Sequence, residues 1–111
     1  MARDTARRLK AWVILKGART VTASPEGNIF VNTTGNPWMA SGGQGDVLSG
    51  ILGSLLVQNI PAETAFPMGV YIHGLAADNV IKRLGPRPVL AGDVITELPG
   101  TLAELAQQEA P

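Results

Sequence analysis

The chain has no cysteine, so disulfides, thiolate metal sites and cysteine nucleophiles are excluded. Its single histidine, His73, cannot build a multi-histidine metal centre. Neither charge is in excess, since nine Lys and Arg balance nine Asp and Glu. That balance offers no electrostatic footprint for nucleic acid or for an acidic membrane surface. Long hydrophobic runs are missing too. The most apolar window, 47–57, is broken by Ser49, Gly50, Gly53 and Ser54 and is too short to span a bilayer. A basic stretch at 2–10 is followed only by Trp12-Val13-Ile14-Leu15 before Lys16 stops the run. No secretory leader is legible there, and a cytoplasmic protein is the expectation. At 111 residues the chain has room for one domain with a modest core, and it carries no internal repeat.

What is present is a glycine-rich run, Gly35-Asn36-Pro37-Trp38-Met39-Ala40-Ser41-Gly42-Gly43-Gln44-Gly45-Asp46, that opens onto the apolar Val47-Leu48-Ser49-Gly50-Ile51-Leu52. Gly42, Gly43 and Gly45 lack a Cβ, which permits positive φ and lets a bulky group approach the backbone amides. A helix beginning near Asp46 leaves its first amides without intrahelical acceptors. It also aims the positive end of its dipole at the loop. The amides of Gly42, Gly43, Gln44 and Gly45 would then form an anion site suited to phosphate, with the Asp46 carboxylate beside it as a candidate base. A glycine turn capped by an aspartate reads the same over so few residues. Both readings stay open on the short motif alone.

Around this loop the chain reads as an α/β sequence. Residues 3–11 suggest a short basic helix with Ala6 and Leu9 facing a core. The continuous apolar run Trp12–Leu15 suggests a strand buried on both faces, as in a parallel sheet. Lys16 and Arg19 flank the turn that ends it. In an α/β sheet that end faces the ligand crevice, although two such cations are equally read as solvated charges. Val21–Ala23 and Asn28–Asn32, parted by Ser24-Pro25-Glu26-Gly27, predict a hairpin with Val21, Ile29 and Val31 on its buried side.

From Asp46 a helix should run to about Gln58, with an apolar stripe on one side and a stripe of Ser49, Gly50, Gly53 and Ser54 on the other. Close packing on those glycines is expected. Pro67 should kink or restart the next helix, which reaches about Arg83 with His73 as a packed or hydrogen-bonded member. Asp93 is expected as the N-cap of a helix that Pro99-Gly100 breaks, leaving a short terminal helix at 101–108.

The longer run GNPWMASGGQGDVLSG is far more specific. It resembles the signature of the ribokinase-like family, in particular its NAD(P)HX dehydratase branch, whose loop reads approximately G-N-P/A-G-M-A-T/S-G-G-x-G-D-V-L-S/T-G. VILKGARTVTA resembles a second signature of that branch, and GVYIHGLAAD is similar to the helix that follows its loop helix. Trp38 stands where the branch has glycine, Ser41 where threonine is common, and Gln44 at the variable position. If that glycine serves a positive φ, Trp38 would be strained.

The resemblance implies a three-layer α/β fold, of which residues 1–111 would be the C-terminal portion. A complete domain of the family has on the order of 250–300 residues, in the range of single α/β domains. Strand 12–15 would then carry an open edge. The implied activity is ADP-dependent dehydration of hydrated NADH and NADPH. Asp46 is the implied catalytic base, and Lys16, Gly17, Ala18, Arg19, Thr20 and Gly45 line the implied adenine nucleotide site. Asn36 and Asp46 would contact the substrate. ADP or ATP would arrive with Mg²⁺, with no metal site of the protein's own, and a homo-oligomer is expected. Two other readings remain. One is a small-molecule kinase of the same superfamily acting on a vitamin-precursor or sugar hydroxyl. The other is a non-catalytic nucleotide-binding unit.

Overall fold

Val13-Ile14-Leu15 and Val21-Thr22-Ala23 are rich in β-branched residues, and the link between them is too short for a crossover. In a computed structural model, which describes residues 1–16, 19–40 and 42–109, they pair antiparallel as β1 (Val13–Leu15) and β2 (Val21–Ala23). β3 (Ile29–Val31) continues the sheet antiparallel to β2, giving the order β1-β2-β3. The parallel pairing expected of the first strand is therefore absent among the described residues. β1 has β2 as its partner and an open edge on its other side.

Helix α1 (Ala2–Leu9) lies against one face of this sheet, where Ala2, Ala6 and Ala23 are buried together with parts of Val13, Leu15 and Val21. Arg3 Nε donates to the Gly27 carbonyl at 3.0 Å and ties the helix to the β2–β3 turn. Leu9, expected to face the core, is 61% exposed because α1 ends in a left-handed turn at Lys10 that carries it off the sheet. The hairpin sides also differ from expectation. Thr22 and Ala23 are buried, whereas Ile29 and Val31 are exposed, since α1 is too short to reach the edge strand. On the opposite face, Trp12 stacks with Phe30 at 6.4 Å and with Phe66 at 5.0 Å, joining sheet to helices.

The remaining elements are helical: a 3₁₀ turn at Pro37–Met39, then α2 (Gln44–Val57), α3 (Ala62–Leu84) and α4 (Ala91–Glu109). α3 is the central rod. Its Ala76, Ala77 and Val80 form the main core with Val89 and Val94, packed by Met39, Val47, Ile81 and Leu98. Pro99 does not break α4, contrary to expectation, and α3 runs through Pro67 without a restart. Pro67 sits in the second turn of α3, where packing of the buried stretch Gly69–Val80 outweighs one lost bond. Pro99 deprives only the Ile95 carbonyl in α4, and Ile95 is 56% exposed, so water can serve it. Asp93 is not the N-cap of α4. It is the third residue of the first turn and accepts the Leu90 amide at 2.9 Å, while the Leu90 carbonyl takes the first intrahelical bonds.

The glycines of α2 are not where close packing occurs. Gly50 and Gly53 face open space. The tight approach is on α3, where a Cβ at Gly69 would strike the Leu52 side chain. No helix of the described residues is long and apolar enough to cross a membrane.

Candidate functional site

The chain enters the glycine loop along α3, and α3 fixes its path. Thr34 Oγ1 donates to the Tyr71 carbonyl at 2.9 Å. Asp78 then takes two bonds, from the Gly35 amide at 3.0 Å and from Asn36 Nδ2 at 2.8 Å. This close approach depends on Gly74, where a Cβ would lie 2.8 Å from the Gly35 nitrogen. Asn36, held extended before Pro37, turns its Oδ1 to accept the Trp38 amide at 3.0 Å and so starts the 3₁₀ turn. Trp38 has no positive φ, so the backbone strain that a glycine position would impose does not arise.

The loop ends at Gly43, whose φ of 87° makes it the left-handed N-cap of α2. Of Gly42, Gly43 and Gly45 only this one adopts that conformation, and Gly35 at the loop's entrance shares it with a φ of 103°. The helix begins at Gln44, two residues before the expected start, which puts Asp46 inside its first turn. The Val47 amide donates to the Gly43 carbonyl at 3.1 Å. Among the described residues the amides of Gly45 and Asp46 have no acceptor, and no side chain caps the helix. Lys16, at the end of β1, brings its ammonium over the same spot, 3.2 Å from where a Cβ on Gly45 would stand. A cation and the positive end of a 14-residue helix thus converge on one exposed stretch of backbone. Asp46 is exposed in the same turn.

Below the loop runs a chain of buried polar contacts. His73 Nε2 lies 2.9 Å from Gln44 Oε1, Gln44 Nε2 donates to the Val89 carbonyl at 3.0 Å, and the Val89 amide donates to the Trp38 carbonyl at 2.8 Å. Burial, helped by the nearby Lys16 charge, lowers the His73 pKa from 6.5 to about 4, so the ring is neutral. With Gln44 Oε1 as acceptor, the proton sits on Nε2.

Residues 1–100 match the sequence family described as NAD(P)H-hydrate dehydratase. The chain belongs to this family. It is 43% identical over 108 residues to the bifunctional NAD(P)H-hydrate repair enzyme Nnr of Moorella thermoacetica, covering 97% of this chain and 20% of that protein. The structure of the ADP/ATP-dependent NAD(P)H-hydrate dehydratase from Bacillus subtilis, co-crystallised with ATP/Mg²⁺, superposes with a TM-score of 0.86 at 32% identity. That match covers 93% of this chain and 37% of that one. A ribokinase-like superfamily protein from Enterococcus faecalis superposes with a TM-score of 0.77 at 33% identity, covering 92% of this chain and 35% of that one. The fold is therefore ribokinase-like, and the chain spans only a fifth to under two fifths of these relatives.

The expected site residues separate into those that meet and those that do not. Lys16 meets the start of α2 at Gly45, and Asp46 follows in the same helical turn. Gly42 and Gly43 are exposed beside them. Gln44 contributes its backbone to the turn, while its side chain points inward to His73. The Asn36 side chain is spent on Asp78 and Trp38. Arg19 is exposed, and the Thr20 carbonyl accepts the Asn32 amide at 2.9 Å in the hairpin. Gly17, Ala18 and Ser41 lie outside the described residues. Sequence reasoning gave no site role to His73, Asp78 or Val89. For His73 a signal existed: a polar residue on the buried face of Ala76, Ala77 and Val80 must have a partner.

Proposed function

We propose that residues 1–111 form the C-terminal portion of an ADP-dependent NAD(P)H-hydrate dehydratase domain and carry its phosphoryl-binding loop and catalytic base. The observation that carries this reading is the convergence of Lys16 with the unpaired Gly45 and Asp46 amides. An adenine nucleotide fits that donor set, which is cationic and built for oxyanions. The amides of Gly42, Gly43, Gln44 and Gly45 would hold the phosphoryl group, and Lys16 through Thr20 would line the rest of the nucleotide. Among the described residues no cluster of three His, Asp or Glu is present. Mg²⁺ would accordingly be held mostly by phosphate oxygens and water, as is usual for that ion.

Asp46 would accept the proton of the hydroxyl at C6 of the hydrated nicotinamide ring as that oxygen bonds to phosphorus. The loop amides and Lys16 would stabilise the charge gathering on the phosphoryl oxygens. The nucleotide would supply the phosphoryl group and leave as AMP (as ADP where ATP is the donor); departure of phosphate with the C6 oxygen, with the proton of the adjacent ring carbon passing to water, would restore the double bond. Asn36 would set the loop's edge against the substrate through its fixed amide. The assembly would be a homo-oligomer working in the cytoplasm.

The test has two arms. Calorimetry on the 111-residue chain with ADP and Mg²⁺ should detect binding, and hydrated NADH should be converted by the complete enzyme. Asp46→Asn in that enzyme should keep nucleotide affinity and lose turnover. Dehydration retained by the variant would remove Asp46 from the chemistry. Turnover of a vitamin-precursor or sugar alcohol in place of hydrated NADH would point to a kinase of the same fold.

A further inference from the structure

Two stretches of chain bracket the glycine loop, and the backbone of one residue holds both. The carbonyl of Val89 accepts from Gln44 at the loop's exit, and its amide donates to Trp38 at the loop's entrance. Behind Gln44 stands His73, 6% exposed, with its Nε2 2.9 Å from the Gln44 Oε1. Because the Gln44 amide nitrogen is committed to Val89, its oxygen faces the imidazole, and the donors all run one way: His73 to Gln44 to Val89 to Trp38. Such a directed series orients each member through the next.

We infer that His73 and Gln44 act as one positioning unit, which fixes the turn so that the Gly45 and Asp46 amides and the Lys16 ammonium point at a common phosphate. His73 touches neither nucleotide nor substrate in this reading and works through Gln44. The inference rests on the loop being a phosphoryl site. It adds that the affinity of that site is set from the buried side, by a neutral imidazole on α3.

The neighbours of His73 agree with this role. Burial, and after it the Lys16 charge, disfavours an imidazolium, so the ring is kept as a donor at Nε2 without adding charge below the loop. On α3 itself the buried residues around it are Val70, Ile72, Gly74, Ala76 and Ala77, none of them charged. Asp46, the carboxylate of α2's first turn, is exposed on the outer side.

The full chain serves for the test, with ADP and Mg²⁺ as the probe. His73→Leu and Gln44→Leu each remove a link, and His73→Gln keeps a donor to Gln44. Each leucine variant should weaken ADP binding about tenfold, the double variant should be no weaker than either, and His73→Gln should recover most of the loss. Hydrogen exchange at the amides of residues 42–46, measured without ligand, should quicken in both leucine variants and not in His73→Gln. Thermal unfolding of each variant separates loss of fold from loss of position. Wild-type affinity in the leucine variants, or losses that simply add in the double variant, would overturn the inference. If the wild-type chain binds no ADP, the phosphoryl reading fails. Exchange at 42–46 then decides the positioning claim alone, and unchanged exchange rates would end it.

Discussion

His73 and Gln44 face each other across 2.9 Å beneath the glycine loop, and the imidazole is neutral there. Its pKa falls from 6.5 in the open chain to about 4 in the fold. Between those values the unfolded state binds the proton and the folded state does not, so stability rises with pH across that window. The stabilisation is complete above 6.5, is lost as the pH falls toward 4, and amounts to something on the order of 3 kcal/mol. Urea midpoints should therefore drop between pH 7 and pH 5 for the native chain. His73→Gln, which has no such proton, should show a much flatter profile over the same range. Equal slopes in the two proteins would mean that His73 does not govern the effect.

Gly74 and Gly50 should respond to alanine in opposite directions. A Cβ at Gly74 would stand 2.8 Å from both the Gly35 nitrogen and the Thr34 carbonyl carbon, backbone atoms that cannot step aside. Gly74→Ala should cost about 1–3 kcal/mol by overpacking. Gly50 lies mid-helix with nothing near its missing Cβ, so Gly50→Ala should add up to about 1 kcal/mol of helix propensity. Thermal melts of the two variants side by side give the signs. A destabilised Gly50→Ala would restore the close packing that the sequence had suggested for that face.

Much of this was legible in advance, for identifiable reasons. The α2 pattern, the turn chemistry of Ser24–Gly27 and the loop glycines are local signals, and each element stands within a few residues of its expected place. What failed was whatever depended on neighbours. Val13–Leu15 reads as a strand either way, and only its short link to β2 makes it antiparallel. Pro99 is a breaker in isolation, but here it is one missing bond in a packed helix. The inward turn of Gln44 could not be read at all, since nothing local says that a variable loop position faces a histidine 29 residues away.

Asp78 is the clasp that aims the loop's entrance. Its two oxygens take the Gly35 amide at 3.0 Å and Asn36 Nδ2 at 2.8 Å. Asp78→Ala strands both donors and should cost about 2–4 kcal/mol, and Asp78→Asn, which keeps one acceptor oxygen, about half of that. Urea unfolding should register this as a lower midpoint with an unchanged slope. Equal stability of the alanine and native proteins would mean that water replaces the clasp without loss.

Gly45 offers the sharpest separation of site from scaffold. Its φ is not positive and it lies in the first turn of α2, so alanine is acceptable to the backbone there. Among the described residues outside its own turn, the one neighbour of the new methyl would be the Lys16 ammonium at 3.2 Å, the end of a flexible and exposed side chain. Lys16 can shift by a few tenths of an ångström at little cost, so Gly45→Ala should fold no less stably than the native chain. The same methyl would nevertheless crowd the ammonium at the proposed phosphate site. ADP affinity should fall about tenfold, a loss of roughly 1.4 kcal/mol. Lys16→Met should also weaken ADP binding while leaving a shallower dependence on salt, because an exposed charge acts through a screened field. Loss of stability without loss of affinity in Gly45→Ala would show that this glycine serves the helix and not the phosphate.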